Sequence, residues 1–183
     1  MTAIDFSILD FIQAHLRNAF CDLIMPQITV LGNAGVLWIL LTLALLCIPR
    51  TRRLGITLTA ALIMDVILCN GILKPLVARI RPYDINTAVR LLVARPTDFS
   101  FPSGHAAASF TAVSALYFRR SKLWIPSFIA ALLISYSRLY LYVHYPSDVL
   151  AGIVLGIALG WLAKLLTDRI FRRLDERKRK NAA

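Results

Sequence analysis

Long apolar runs separated by short polar stretches dominate the chain, and the lengths of these runs predict membrane-spanning helices. A helix needs about 20 mostly apolar residues to cross the ~30 Å hydrocarbon layer of a bilayer. Five runs approach that length: Val36 to Ile48, Leu54 to Leu73, Gly104 to Phe118, Leu123 to Tyr142 and Val149 to Leu166. None of them has the strict alternation expected of barrel strands. We therefore predict an all-α fold, a polytopic transmembrane helix bundle with five spans.

The first predicted span is the least regular of the five. Val36 to Ile48 is short for a crossing, but the preceding run from Leu23 to Leu31 is also apolar. Pro26 and the segment Gly32-Asn33-Ala34-Gly35 are the points at which such a helix would bend or break. Because Cys21 to Pro49 is too short for two crossings, we count this region as one tilted or kinked span.

The first twenty residues have the pattern of an amphipathic helix. Apolar side chains recur at helical spacing, at Ile4, Ile8, Phe11, Ile12 and Leu16. Polar side chains fall elsewhere on the helical wheel, at Asp5, Asp10, Gln13 and Arg17. We predict that residues 1–20 form a helix lying in the membrane interface. A secretory signal is disfavoured because a positive start and an uninterrupted apolar stretch are both missing.

Composition agrees with a single membrane-embedded domain over residues 1–183. Hydrophobic residues make up 58% of the chain, which is more than a soluble domain usually has. The formal net charge is +11, but the cations form no contiguous stripe with interleaved aromatic residues, so no nucleic-acid partner is expected. Anionic phospholipids on the basic side are the expected partner, and the oligomeric state is left open. Cys21, Cys47 and Cys69 lack a close spacing and are predicted to be packing residues.

The distribution of positive charge predicts an orientation. Clusters of Lys and Arg fall in residues 50–53, 119–122 and 169–180. Alternate crossing by five spans puts all three clusters on one side, which the positive-inside rule makes cytoplasmic. The amino terminus and an outer loop of residues 74–102 then lie outside the cell membrane, and residues 169–183 form a basic cytoplasmic tail.

Six further cations lie on the outer side, against this charge bias, which indicates a bound anion. They are Lys74, Arg79, Arg81, Arg90, Arg95 and Arg138. Lys74, Arg81 and Arg138 supply donors that match phosphate oxygens, although a lone cation at the end of a span more often only extends toward the interface. The other three lack any motif spacing, and we interpret them as loop or headgroup contacts.

Three segments on the outer side carry the candidate chemistry. They are Lys74 with Arg81-Pro82 after six residues, Pro102-Ser103-Gly104-His105, and Ser137-Arg138 with His144 and Asp148. Together they hold three cations, two histidines and one carboxylate. This set is sufficient to bind a phosphate and break one of its ester bonds.

The middle segment is expected to begin a helix. Ser103 can cap that helix, Pro102 blocks its backward extension, and Gly104 lets an anion approach the free backbone N–H groups. An ordinary serine cap is about equally well supported by this segment alone.

The third segment is expected to hold a nucleophile. Asp148 can accept a hydrogen bond from one ring nitrogen of His144 and leave the other free to attack phosphorus, and His105 can protonate the departing oxygen. A metal site is disfavoured because the surrounding cations would repel it, so neither a metal nor another cofactor is expected. Asp65 lies in the middle of the second predicted span, and we interpret it as structural although intramembrane carboxylates are often functional.

The complete pattern resembles the signature of the type 2 phosphatidic acid phosphatase superfamily, which is Lys-x6-Arg-Pro, Pro-Ser-Gly-His and Ser-Arg-x5-His-x3-Asp. Every element is matched between Lys74 and Asp148, and the first thirty residues are not covered. The resemblance implies a metal-independent phosphatase that forms a phosphohistidine at His144, with Asp148 orienting it and His105 as the acid. It implies phosphate binding by Lys74, Arg81, Ser103, Gly104 and Arg138. The remaining positions of the signature, Pro82, Pro102 and Ser137, are expected to be structural.

The resemblance also implies a lipid phosphatase at the outer face of a bacterial cytoplasmic membrane. Many members of the superfamily have six spans, so the resemblance makes six spans the alternative to the five predicted from the apolar runs. The substrates that it suggests are undecaprenyl diphosphate, phosphatidylglycerol phosphate and phosphatidic acid. A lipid phosphotransferase would use the same phosphohistidine, and a transporter of anionic lipids would use the outer cations without needing His144 paired with Asp148. Vanadium haloperoxidases have a similar pocket, but an apolar bundle argues against that assignment.

Overall fold

The computed structural model describes the backbone of residues 2–182 and the side chains of residues 3–181, and every regular element in that part is a helix. The helices are α1 (Thr2–Phe11), α2 (Ala19–Gly32), α3 (Val36–Cys47), α4 (Arg52–Asp65), α5 (Lys74–Val77), α6 (Pro82–Ile85), α7 (Gly104–Phe118), α8 (Trp124–Tyr140) and α9 (Pro146–Ala182). π-Helical segments extend α1 over Ile12–Leu16 and join α4 to α5 over Val66–Leu73. The all-α prediction is confirmed. Residues 1 and 183, the ends of the predicted segments, lie outside the described residues.

Three helical stretches within the described residues are long and apolar enough to cross a membrane, judged by length and composition. They are Ala19–Cys47, Arg52–Ile85 and Pro146–Asn181. The other two predicted spans correspond to α7 and α8, which have only 15 and 17 residues. Most side chains of α7 are buried by neighbouring helices, so its serines and threonines are covered by protein. The chain is therefore a helical membrane protein, and the number of five spans stays a prediction.

The break predicted in the first span is present. α2 ends at Gly32, and α3 starts at Val36 after Ala34 and Gly35 adopt left-handed backbone conformations, with φ of 49° and 68°. Pro26, which was the other expected irregular point, lies inside α2 without ending it. After the break, α3 places Trp38 against α7, where its Nε1 donates to Ser109 Oγ at 3.0 Å.

Close packing of α9 against α7 places two of the motif segments side by side. Gly152, Gly156 and Gly160 of α9 face α7, and a Cβ atom on Gly156 would lie 2.6 Å from the carbonyl oxygen of Ala107. Small residues at such positions let two helix backbones approach closely. The contact continues at the start of both helices, where Ser103 N donates to Asp148 O at 3.1 Å.

The N-terminal helix forms where the sequence pattern predicts one, and its position in the membrane interface stays a prediction. Of the five apolar residues predicted to form one face, Ile12 is buried, whereas Ile4, Ile8, Phe11 and Leu16 are exposed. The inward face of α1 instead contains Leu9 and the carboxylate of Asp5, both buried. The apolar face thus points away from the protein, as contact with lipid would require, and the polar face contacts the loop between α8 and α9.

Other segments also differ from expectation. The predicted outer loop starts with helical turns, because α5 begins at Lys74 and α6 at Pro82. The predicted basic tail continues α9 as helix through the last described residues. Cys69 is buried as a packing residue, but Cys47 is exposed, and all three cysteines are free.

Candidate active site

The three motif segments converge on one cavity of about 470 Å³. Each segment supplies side chains from the end of a helix or from the loop next to it. The motif residues that line the cavity are Lys74, Arg81, Gly104, His105, Arg138 and His144. Asp148 lies behind His144 in the first turn of α9 and is fully buried. The structure thus brings these predicted site residues together at one cavity.

The three cations of the motif are buried, with exposed fractions of 8% for Lys74, 3% for Arg81 and 4% for Arg138. Arg138 Nη1 donates to Thr29 Oγ1 at 2.6 Å, and its Nε finds no hydrogen-bond acceptor within residues 3–181. A buried guanidinium with an unused donor is costly unless a ligand accepts from it. The cavity is therefore suited to an anion with several oxygen atoms.

A carboxylate that the sequence did not single out occupies part of this site. Asp98 forms ion pairs with Lys74 and with Arg81, whose Nη2 lies 2.6 Å from Asp98 Oδ1. Arg81 Nε also donates to the backbone oxygen of Asp98 at 2.8 Å. Partial burial alone would raise the pKa of the Asp98 carboxyl, but the hydrogen bond and charge of Lys74 and the charge of Arg81 outweigh it and lower the pKa to about 2. Asp98 is thus ionised at any physiological pH.

Replacing Asp98 by asparagine is expected to tighten inhibition by inorganic phosphate. The ionised carboxylate competes with a phosphate for Lys74 and Arg81. Without the carboxylate charge, these two cations are free to bind phosphate. One charge-assisted hydrogen bond corresponds to about tenfold in affinity, so the inhibition constant should fall by about that factor. The inhibition constant is measured against p-nitrophenyl phosphate, with Asp84→Asn, which alters an exposed carboxylate on α6, as the control. Unchanged inhibition in a folded Asp98→Asn protein would show that Asp98 does not compete.

The position of His144 is determined by the loop between α8 and α9 and by Arg81. Arg81 Nη1 lies 3.2 Å from His144 Nε2. Because a guanidinium only donates hydrogen bonds, Nε2 must accept, and the ring proton is on Nδ1. Burial, followed by the charges of Arg81 and Arg138, lowers the pKa of His144 well below 6.5. His144 is therefore a neutral imidazole with its lone pair directed at the cationic cavity.

The predicted hydrogen bond from His144 to Asp148 is longer than expected. His144 Nδ1 lies 3.5 Å from Asp148 Oδ2, beyond the usual range, and it has no hydrogen-bond partner among the described side chains. Other donors hold the carboxylate: Ser100 Oγ at 2.5 Å and the backbone N–H of Tyr145 at 3.0 Å, both bonded to Oδ2. Asp148 is thus fixed in place and faces the protonated ring nitrogen at a distance that a small movement would close.

The sequence interpretation of Arg79 as a loop or headgroup contact is wrong. Its Nη1 donates to Asp148 Oδ1 at 2.5 Å, and its Nη2 donates to Asp5 Oδ2 at 2.8 Å. Nothing in the sequence indicated this role, because the partners of Arg79 are distant along the chain and form no motif with it. Arg79 belongs to the surroundings of the candidate nucleophile.

Ser103 occupies the N-cap position of α7, but its hydroxyl does not cap the helix. The hydroxyl is buried and lacks a hydrogen-bond partner within the described part of the chain. This corrects the predicted capping bond and leaves a donor free for a ligand. Gly104 follows in a tight space, where an added Cβ atom would lie 3.1 Å from Asn70 Oδ1 and 3.5 Å from Lys74 Nζ.

His105 lines two cavities, because a second one of about 420 Å³ adjoins the first. The ring is held at Nε2 by Asn33 Oδ1 at 3.0 Å. Asp65, which we interpreted as structural, also lines the second cavity, and its Oδ1 has no partner in residues 3–181. Asn33 and Thr29 were not predicted, since nothing in their sequence surroundings distinguishes them.

The three structural positions of the signature are buried. Pro82 starts α6, and Pro102, preceded by a cis peptide bond, lies next to the start of α7. Ser137 Oγ donates to the carbonyl oxygen of Ile134 at 2.6 Å within α8. These contacts support the backbone that carries Arg81, Ser103 and Arg138.

The chain matches a known protein family and resembles several characterised proteins. A family model described as the PAP2 superfamily matches residues 54–172. An undecaprenyl-diphosphatase of Sulfolobus acidocaldarius is 40% identical over 127 residues, which make up 69% of this chain and 61% of that protein. A lipid A 4'-phosphatase of Bacteroides thetaiotaomicron is 39% identical over 59% of this chain and 51% of its own length. The undecaprenyl-diphosphatase BcrC of Bacillus subtilis is 32% identical over 80% of this chain and 75% of that protein. The chain thus spans only about half to three fifths of the length of the first two.

Two solved structures share the fold. One is a transmembrane PAP2 type phosphatidylglycerolphosphate phosphatase from Bacillus subtilis, with a TM-score of 0.74 and 25% identity over 92% of this chain and 87% of that one. The other is LpxE of Aquifex aeolicus, with a TM-score of 0.75 and 28% identity over 87% of this chain and 94% of that one. Both structural matches cover more of the chain than residues 54–172, which the family model matches.

Proposed function

The chain belongs to the PAP2 superfamily, and from this premise we propose that it is a membrane phosphatase that hydrolyses a lipid phosphate or diphosphate through a phosphohistidine. One observation carries the proposal. His144 Nε2 is a buried acceptor that opens onto a cavity lined by Lys74, Arg81 and Arg138. A neutral nucleophile surrounded by fixed cations is suited to attack on a phosphate dianion.

In the first step the phosphate oxygens bind to the three cations and to the free donors at the start of α7. His144 Nε2 attacks phosphorus, the bond between phosphorus and the lipid oxygen breaks, and His105 gives that oxygen a proton. The imidazole becomes cationic when Nε2 is phosphorylated. Asp148 stabilises that charge through the proton on Nδ1.

In the second step water attacks the phosphohistidine. His105, now neutral, takes a proton from the water, the bond between phosphorus and Nε2 breaks, and inorganic phosphate leaves. Each group returns to its starting protonation state. The proposed cycle uses no metal, because the charge of the phosphate is balanced by Lys74, Arg81 and Arg138.

The cavities support a lipid substrate. The second cavity shares Lys74 and His105 with the first, and it shares Ile39, Leu62 and Val66 with a further groove of about 390 Å³. That groove lies between α3 and α4 with its π-helical extension, and its lining is almost entirely aliphatic. A phosphate bound beside His144 therefore has a continuous path along which a hydrocarbon chain can lie. We propose undecaprenyl diphosphate, phosphatidylglycerol phosphate and phosphatidic acid as candidate substrates.

Phosphate release from these three lipids by the purified protein tests the proposal. We expect release from at least one of them, little change on addition of EDTA, and no release by His144→Ala. An added lipid alcohol distinguishes hydrolysis from transfer, since a phosphotransferase would phosphorylate it in place of releasing phosphate. No release and no transfer with any of the three, while the protein moves anionic lipid between leaflets, would favour a transporter.

We place the active site on the extracytoplasmic side and anionic phospholipids at the opposite end. The support is the charge distribution. Arg120, Lys122 and Lys164 surround a cavity at the far end of the bundle together with Trp124 and Trp161. Cations beside interfacial aromatic residues are typical of contact with anionic headgroups.

Cysteine labelling tests this orientation. In a background with Cys21, Cys47 and Cys69 replaced by serine, a membrane-impermeant maleimide applied to intact cells should label Thr87→Cys and should not label Asn181→Cys. Both positions are exposed in the protein. Permeabilised cells, in which both should react, are the control, and the reverse pattern in intact cells would refute the proposed orientation.

A further inference from the structure

The N-terminal helix α1 contacts the segment that carries His144 along its whole length. The paired residues are Asp5 with Ser147, Phe6 with Tyr145, Asp10 with Tyr142 and Gln13 with Tyr140. Three of these contacts are hydrogen bonds of 2.7 to 2.8 Å, and the aromatic pair packs edge to face. The loop between α8 and α9 is therefore supported by α1, a helix that precedes the residues matched by the family model, 54–172.

Asp5 makes the most demanding of these contacts. The residue is 4% exposed, and both of its carboxylate oxygens accept hydrogen bonds. Oδ1 accepts from the backbone N–H of Ser147 at 2.9 Å, and Oδ2 accepts from Ser147 Oγ at 2.7 Å and from Arg79 Nη2 at 2.8 Å. A buried carboxylate is retained only with such compensation.

Arg79 connects Asp5 to the candidate catalytic residues. The guanidinium donates to Asp148 through Nη1, and its centre lies 3.8 Å from the ring centroid of Tyr145. One guanidinium thus lies between two carboxylates, Asp5 and Asp148. Without Asp5 its charge would act on Asp148 alone and would reduce the ability of Asp148 to stabilise a cationic His144.

We propose that Asp5 is a positioning residue for the reaction and acts through Arg79 on Asp148 and His144. This inference rests on the proposed function, because it assigns Asp5 a part in forming the phosphohistidine. The phosphate-binding cations Lys74, Arg81 and Arg138 are not contacted by Asp5. Its removal therefore slows the chemical step and leaves substrate binding largely unchanged.

The test compares Asp5→Asn with Asp10→Asn, which removes a carboxylate from the same helix but has no link to Arg79. Asp5→Asn should lower kcat about 10- to 100-fold, the range of one charge-assisted hydrogen bond, with KM changed less than about twofold. Asp10→Asn should change both by less than about twofold. Equal losses in the two variants would reduce α1 to a merely structural support and overturn the proposal.

A double variant tests the route through Arg79. If Asp5 acts through Arg79, adding Asp5→Asn to Arg79→Gln should cost little beyond Arg79→Gln itself. A full additional loss would contradict the proposed route. If Asp5→Asn fails to fold, Asp5→Glu is used in its place. A kcat of Asp5→Glu equal to that of the wild type would contradict the proposal that the position of the Asp5 carboxylate matters for the reaction.

Vanadate binding separates this inference from the proposed function. Orthovanadate bonded to His144 Nε2 needs the oriented ring, whereas inorganic phosphate needs only the cations. Asp5→Asn should weaken vanadate binding about tenfold or more and leave phosphate binding unchanged. A protein that binds vanadate in this Asp5-dependent way but releases no phosphate from any lipid would refute the proposed function alone. Equal weakening of both anions would refute the role of Asp5.

Discussion

Replacing His144 by alanine is expected to lower turnover by several orders of magnitude on every substrate. The covalent route is lost entirely, because alanine has no nucleophilic nitrogen to attack phosphorus. The affinity for a lipid phosphate should change little, because Lys74, Arg81 and Arg138 are untouched. Single-turnover rates and equilibrium binding of the substrate measure the two effects separately.

The third histidine of the chain offers a matched control. His15 is exposed and stacks on Phe11 at the end of α1, away from the cavity. His15→Ala should therefore retain activity close to that of the wild type. A His144→Ala protein that is folded and still turns over at a tenth of the normal rate would rule out a covalent role for His144.

Replacing His105 by alanine is expected to depend strongly on the leaving group. A prenyl or glycerol oxygen needs a proton as its bond to phosphorus breaks, whereas p-nitrophenolate leaves readily without one. A general acid typically contributes about 10²–10⁴-fold. His105→Ala should lose activity in that range on a lipid phosphate and much less on p-nitrophenyl phosphate.

The same two substrates distinguish His105 from His144. His144→Ala should fail on both, because attack on phosphorus is common to them. The comparison requires that bond cleavage limits the rate, so single-turnover rates are the quantity to compare. Equal losses by His105→Ala on both substrates would assign it to phosphate binding and not to proton transfer.

The motif residues could be predicted from the sequence because the spacing within each segment is local and the predicted spans put the three segments on one side. Asp98 and Arg79 could not, because their partners lie far along the chain and neither belongs to a repeating pattern. Asp98 lies in a loop 17 residues from Arg81, and Arg79 binds Asp5 at a separation of 74 residues. Such pairings depend on the packing of the whole bundle.

The N-terminal helix shows the limit of a hydrophobic pattern in a membrane protein. Helical periodicity identified α1, but the pattern could not tell which side faces the protein. In water an apolar face turns inward, whereas in a membrane interface it can contact lipid. Asp5 therefore faces the protein, where it contacts Ser147 and Arg79, while Ile4 and Ile8 face outward.

Two hydrogen bonds expected from local sequence are not formed in the candidate site. A serine before a helix predicts a capping bond, yet the Ser103 hydroxyl makes none within the described residues. The proximity of His144 and Asp148 in sequence predicts a short hydrogen bond, yet the two atoms lie 3.5 Å apart. In the proposed mechanism the Ser103 hydroxyl binds the phosphate, and His144 moves closer to Asp148 as its ring becomes cationic.

Trapping the phosphoenzyme is the most direct test for a phosphohistidine at His144. Substrate carrying radioactive phosphorus is mixed with an excess of enzyme and quenched in alkali, in which phosphohistidine survives. We expect label on the protein within one turnover, located at His144 by peptide mapping. The label should be present in wild type and His15→Ala and missing from His144→Ala. Turnover of the substrate without any label on the protein at any time, or label that persists in His144→Ala, would contradict a phosphohistidine at His144.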